Sequence, residues 1–139
     1  MNDLQPIADT TATTRVGAEF LVICLCAEWC ATCREYRAGF DELAERFPDT
    51  HFSWLDIEDQ ADDLGDIDIE NFPTLFVQRG DAVLFFGTML PHLGHLRRLV
   101  ETFHEQTAEQ SGAYARSAPE RCSWQENPDL RNLWRAVAP

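Results

Sequence analysis

The apolar positions change period along the chain, and each change marks an element. Phe20 to Cys26 is an unbroken apolar run. It predicts a strand buried on both faces, as in a parallel sheet. From about Ala31 to Phe47 the apolar residues Tyr36, Phe40, Leu43, Ala44 and Phe47 recur at helical spacing, so a helix with one apolar face is expected. Pro48-Asp49 ends it. Phe52 to Ile57 predicts a second strand, with Phe52, Trp54 and Asp56 on one side. Thr74 to Gln78 predicts a third. Arg79-Gly80-Asp81 turns the chain, and Ala82 to Phe86 returns as an antiparallel strand that Gly87 stops. Leu93 to about Thr107 carries Leu96, Leu99, Val100 and Phe103 at helical spacing, and Pro91 suits the approach to that helix.

The segments outside this pattern are weaker. Residues 1 to 19 are polar, with a short edge strand near Leu4 to Ala8 and one poor helix as the expectation. Asp56 to Glu70 holds eight acidic residues and no basic one; it predicts a solvated helix-loop interrupted at Gly65. After Gln110 the composition shifts to Ser, Gly, Ala and Pro. A domain over residues 1–110 is therefore expected, followed by a C-terminal extension, 111–139. The extension is partly disordered or docks as a short helix over Asp129 to Val137, with Leu130, Leu133 and Trp134 on one side. Docking on the domain is the expectation for both tail aromatics, Trp124 and Trp134.

The order strand, helix, strand, acidic segment, strand, strand, helix implies one right-handed parallel crossover closed by an antiparallel hairpin. The expected class is α/β: a three-layer sandwich in which helices cover both faces of a mixed sheet.

Composition narrows the function classes. A chain of 139 residues with 45% hydrophobic content fits one globular domain. The formal net charge is −13, which disfavours binding to nucleic acid or an anionic membrane surface. No run approaches the roughly 20 apolar residues of a membrane span. The start, Met1 to Pro6, lacks the basic and apolar regions of a signal peptide, so a cytoplasmic location is expected.

Four of the five cysteines, Cys24, Cys26, Cys30 and Cys33, fall within ten residues. An odd count in such a chain argues against a structural disulfide framework. Cys30-Ala31-Thr32-Cys33 suits a dithiol/disulfide pair. Cys30 stands where the helix begins, so unpaired N–H groups and the helix dipole favour a thiolate there. Cys33 lies one turn on, within the Cα separation of about 4.4–6.8 Å that a disulfide requires. Cys30 would attack a disulfide and Cys33 would resolve the adduct. No metal site is expected, because tetrahedral zinc needs two further ligands, and His92 and His95 lie near the other helix. No cofactor is required. Cys24 and Cys26 share a strand face by alternation. Each is expected to be a small buried hydrophobe, the sharper alternative being a third redox thiol. Cys122 is expected to be an unreactive thiol.

These residues carry a family resemblance. The run from Phe20 through Ala27-Glu28-Trp29-Cys30-Ala31-Thr32-Cys33 resembles the thioredoxin active-site segment. Asn71-Phe72-Pro73-Thr74-Leu75 is similar to the segment holding that family's cis-proline, and Gly87 matches a glycine after its last strand. The resemblance covers about residues 18 to 106. It implies a thioredoxin-like fold, a cis Pro73 packed against the dithiol, and a thiol–disulfide oxidoreductase. It also implies that Trp29, Ala31, Thr32, Phe72 and Pro73 meet the substrate. The partners implied are disulfide-containing proteins or small disulfides and a reductase or electron donor, with the chain a monomer. Three departures stand out. Ala31-Thr32 replaces the common Gly-Pro, Cys24 takes the place of the buried acid, and Trp54 that of its lysine partner. Cys26 also replaces a usual aromatic. These departures motivate a rival reading, a non-catalytic adaptor or chaperone that keeps the fold without turnover.

Overall fold

Strand β1 (Phe20–Cys26) lies inside the sheet of the computed structural model, which describes residues 19–137. The expected edge strand near Leu4 to Ala8 lies outside the described residues. β1 runs parallel to β2 (Thr50–Asp56) and antiparallel to β3 (Thr74–Arg79). β3 pairs antiparallel with β4 (Ala82–Thr88), giving the order β2-β1-β3-β4. The mixed sheet with covering helices is the α/β architecture expected from the pattern. Gly87 does not end β4: it pairs with Leu75, and Thr88 pairs with Thr74, so the ladder carries the strand one residue further. The hairpin turns at Gly80, whose φ of +58° suits a residue without Cβ.

Alternation along β1 divides the core in two. Val22, Cys24 and Cys26 face α1 (Ala31–Arg46) and α3 (Leu93–Glu105), meeting Tyr36, Phe40, Leu96 and Phe103. Ile23 and Leu25 face the opposite layer with Leu55, Phe76 and Val83. That layer includes Leu64 of the short α2 (Ala61–Leu64), the one helical turn in the acidic segment. Ile57, Ile67 and Ile69 pack against the same cluster, so the segment docks through its apolar positions.

The C-terminal extension is built into the domain. Helix α4 (Ala108–Ala115) opens on a Thr107–Gln110 capping box, so the boundary expected at residue 110 falls inside a helix. With α5 (Pro119–Glu126) it wraps the edge at β4: Ala115 joins the first core cluster, while Trp124 packs against the second. Gln125 covers the free edge, its Oε1 accepting from Val83 N at 2.8 Å and its Nε2 donating to Val83 O at 2.6 Å. Helices α6 (Pro128–Arg131) and α7 (Leu133–Val137) then bury Leu130 and Leu133 against the second face. Trp134 does not dock as expected: with Leu130 and Leu133 turned into the core, its side chain, next to Leu133 on α7, is left exposed.

His104 of α3 locks that helix to the sheet. Its ring stacks on Phe20 with centroids 4.2 Å apart, and its Nε2 lies 2.8 Å from Thr50 Oγ1. Burial lowers its pKa, Arg79 adds to the lowering, and Asp49 and Glu19 oppose it. The folded state therefore takes up a proton less readily than the unfolded chain. The stability tied to neutral His104 is complete above about pH 6.5 and declines as pH falls below it. Urea unfolding between pH 7 and 5 should show this loss in the wild type and a flatter profile in His104→Phe.

Candidate active site

The loop after β1 is a tight turn that delivers two side chains to the surface. Cys30 N donates to Ala27 O at 3.0 Å, and Arg34 N donates to Cys30 O at 3.1 Å, the first helical bond of α1. Cys30 is thus the N-cap of α1, with extended backbone and a side chain that makes no cap hydrogen bond. Cys30 is half-buried and stands at the end of the helix where N–H groups lack intrahelical partners. Trp29 is 62% exposed and donates from Nε1 to Glu58 Oε2 at 3.1 Å. Ala31 is exposed, Thr32 is half-buried and Cys33 is buried.

The sulfur pairing differs from the expected one. Cys33 is bonded to Cys26, with Cα atoms 5.8 Å apart, and Cys30 is a free thiol. The reason lies in the layers. Cys26 ends β1 on the side facing α1, and Cys33 is on the buried side of α1, so the two sulfurs meet across the strand–helix interface. Cys26 is therefore not an inert hydrophobe.

Cys24 is a free, fully buried thiol, and its Sγ donates to Cys26 Sγ at 3.9 Å. Burial pushes the Cys24 thiol far above its ordinary range, with the Arg37 charge pulling it partly back. Burial also pushes the Tyr36 hydroxyl up, and Cys24 adds to this. Trp54 pairs in register with Cys24. The Arg37 guanidinium lies over the Trp54 ring, 4.9 Å from its centroid. A cation thus stands close to the lysine position of the resembling family, but it comes from the helix. Arg37 follows Cys33 by four residues, a spacing that puts both on one side of α1.

A solvent-open cleft reaches Cys33 between α1 and the end of β2, lined also by Arg34, Arg37, Trp54, Asp56 and Asp59. Asp56 holds its rim. Its Oδ1 accepts from Glu58 N at 2.8 Å and Asp59 N at 3.2 Å, and its Oδ2 accepts from Glu28 N at 3.1 Å. Burial alone would raise the Asp56 pKa, but these three backbone donors outweigh it and lower the pKa overall. The carboxylate's stabilisation is present above the unfolded value and is lost as pH falls below about 4. Asp56→Ala should cost about 1–2 kcal/mol in urea unfolding at pH 7. The difference from wild type should shrink as pH drops through that window.

The second segment of the site is the turn before β3. The Phe72–Pro73 peptide bond is cis, and Pro73 O accepts from Met89 N at 3.0 Å. The rings of Phe72 and Trp29 meet edge to face at 5.6 Å. This contact joins the cysteine loop to the proline turn. Leu90, 64% exposed, follows Met89. The bond from Cys26, the Arg37 cation, the loop-pinning role of Asp56 and the exposed Leu90 are features of the site that periodicity and motif spacing do not reveal.

This arrangement provides a surface thiol at a helix start, a buried sulfur one turn on that forms a disulfide, and a partly apolar rim. Such a set supports thiol–disulfide exchange.

Comparison with known proteins agrees. Thioredoxin of Gallus gallus is 30% identical over 83 residues, covering 58% of this chain and 79% of that protein. The H-type thioredoxin of Picea mariana is 36% identical over 58 residues, 41% of this chain and 46% of its own. A Streptomyces coelicolor relative, 33% identical over 67 residues, is spanned over 50% of its length. Among solved structures, thioredoxin from Trypanosoma brucei brucei superposes with a TM-score of 0.58 at 19% identity, over 64% of this chain and 78% of that one. Fasciola hepatica thioredoxin gives 0.56 at 18%, over 61% and 81%; at such identities the likeness shows the fold. Residues 6–89 match the thioredoxin family model, and the chain belongs to the thioredoxin family.

Proposed function

We propose that the protein is a thiol–disulfide oxidoreductase that reduces disulfides of proteins or small molecules through Cys30. The observation that carries this reading is the pairing of a free, partly exposed Cys30 at the α1 N-cap with a disulfide-forming Cys33 one turn later. In the cycle, Cys30 thiolate attacks one sulfur of the substrate disulfide, and the other sulfur leaves as a thiolate. Cys33, reduced at the start, then attacks Cys30 Sγ, and the second substrate sulfur leaves. Two electrons pass to the substrate, and the Cys30–Cys33 pair is oxidised.

Cys24 and Trp54 stand where the family's acid and lysine would serve the resolving thiol. The Cys33 proton therefore passes to water in the cleft beside Arg37 and Asp56. The exposed Trp29 and Leu90, with Phe72 between the two segments, supply apolar contact for a substrate chain. A thiol donor or reductase restores the dithiol, and in a reducing compartment such as the cytoplasm the cycle runs toward substrate reduction.

The test is catalytic reduction of a chromogenic disulfide by the full chain with a dithiol donor. Turnover above a Cys30→Ser control is expected. Equal rates for the two proteins would refute the reading.

A further inference from the structure

We infer that Cys26 is a third redox-active residue, an internal exchange partner that takes Cys33 over from Cys30 after each oxidation. The inference rests on the oxidoreductase reading and extends it. Its ground is the geometry of three sulfurs. Cys33 is bonded to Cys26 in the interior, while Cys30, packed against the same cluster from its edge, is left free. Cys33 lies one helical turn from Cys30 and within bonding distance of Cys26, so it is placed to pivot between two partners.

The step balances within the chain. The Cys26 thiol gives up its proton and attacks Cys33 Sγ. The Cys26–Cys33 bond forms as the Cys30–Cys33 bond breaks, and Cys30 leaves as a thiolate. The released proton goes to Cys30 or to solvent. One disulfide and one thiol stand on each side, so no further oxidant or reductant is needed. Cys24 donates to Cys26 Sγ and remains a thiol throughout.

Burial gives the exchange its consequence. Cys26 is 0% and Cys33 1% exposed, so although the cleft reaches the edge of Cys33, the bond itself is covered against direct attack by an external thiol. Re-reduction has to pass through Cys30, which attacks Cys33 and returns the disulfide to the surface. Oxidised protein thus keeps a surface thiol able to engage a second disulfide partner, with its resolving sulfur withheld. An ordinary vicinal pair has no such state.

Peptide mapping decides the matter. Fully reduced protein is oxidised by one equivalent of a small disulfide, quenched in acid and alkylated. It is then cleaved after glutamate, at Glu19, Glu28 and Glu35. Cys24 and Cys26 then lie on residues 20–28, and Cys30 and Cys33 on residues 29–35. A Cys26–Cys33 bond joins the two peptides, whereas a Cys30–Cys33 bond leaves them separate.

The expected result is joined peptides with Cys30 alkylated, the link lost in Cys26→Ala and kept in Cys24→Ala. Native alkylation of Cys30 in the oxidised wild type should exceed that in oxidised Cys26→Ala by about tenfold or more. Separate peptides with an internal Cys30–Cys33 bond would overturn the inference and leave the oxidoreductase reading standing. A Cys26–Cys33 link that resists the dithiol donor before oxidation would also overturn it, by making the bond static. Failure of the small disulfide to be reduced at all would overturn the oxidoreductase reading, and this inference with it.

Discussion

Cys30→Ser is expected to lower disulfide-reductase turnover by at least about 10³-fold, to the rate of the donor alone. Serine keeps the size of the side chain, and Cys30 makes no cap hydrogen bond that the fold depends on. The variant should therefore unfold at the same urea concentration as the wild type. The loss would be chemical: a hydroxyl at the N-cap is not ionised near neutral pH and does not attack sulfur. Cys33 would be a poor substitute, because at 1% exposure its sulfur is covered beneath the helix start even where the cleft reaches the residue. A variant that kept a tenth of the wild-type rate would move the nucleophile to another residue, with the half-buried Cys122 the next to examine.

Leu133→Ala is expected to cost about 2–5 kcal/mol of folding free energy, a large share of the roughly 5–15 kcal/mol that holds such a domain. Leu133 is fully buried in the second core cluster with Ile23, Leu25 and Phe76, below the face that α6 and α7 cover. Truncation leaves a cavity that a short helix at the end of the chain closes only in part. Trp134→Ala, at an exposed position on the same helix, should change stability by no more than about 0.5 kcal/mol. Urea denaturation of the two variants side by side measures the contrast. Equal, small effects would mean that the C-terminal helices add little to the fold.

The C-terminal helices also show where the sequence stops being informative. The central strands and the two long helices announce themselves, because burial on both faces demands an unbroken run such as Phe20 to Cys26 and a buried stripe demands residues such as Tyr36, Phe40 and Leu43. Helices α6 and α7 are four and five residues long. Each commits one leucine, Leu130 or Leu133, to the core, too few positions to establish a period. Their order comes from tertiary docking on the sheet face that carries Ile23, Leu55 and Phe76, and from local devices such as the Asn127 cap, whose side chain accepts from Asp129 N and Leu130 N.

At the site, the local part was legible and the cross-layer part was not. Trp29, Cys30 and Cys33 are neighbours in sequence, and the helix start that frames them follows from the strand before it. Phe72 and Pro73 were marked by their turn, and their meeting with Trp29 needed the fold. Cys26 was visible as a cysteine on the correct strand face. Its bond to Cys33 depends on how closely α1 crosses the end of β1, a distance no sequence period encodes. Asp56 likewise becomes a pin only because β1 and β2 end side by side, with Cys26 and Asp56 in register.

The central claim is that Cys30 attacks and Cys33 resolves, and single-turnover trapping in Cys33→Ser tests it most directly. Reduced variant mixed with a chromogenic disulfide should release one thiol per chain and stop, with the other half of the reagent bound to Cys30. With one equivalent of the reagent, the wild type should release two and hold no adduct. Release in Cys33→Ser no greater than in the Cys30,Cys33 double serine variant, or an adduct found on any sulfur other than Cys30, would contradict the claim.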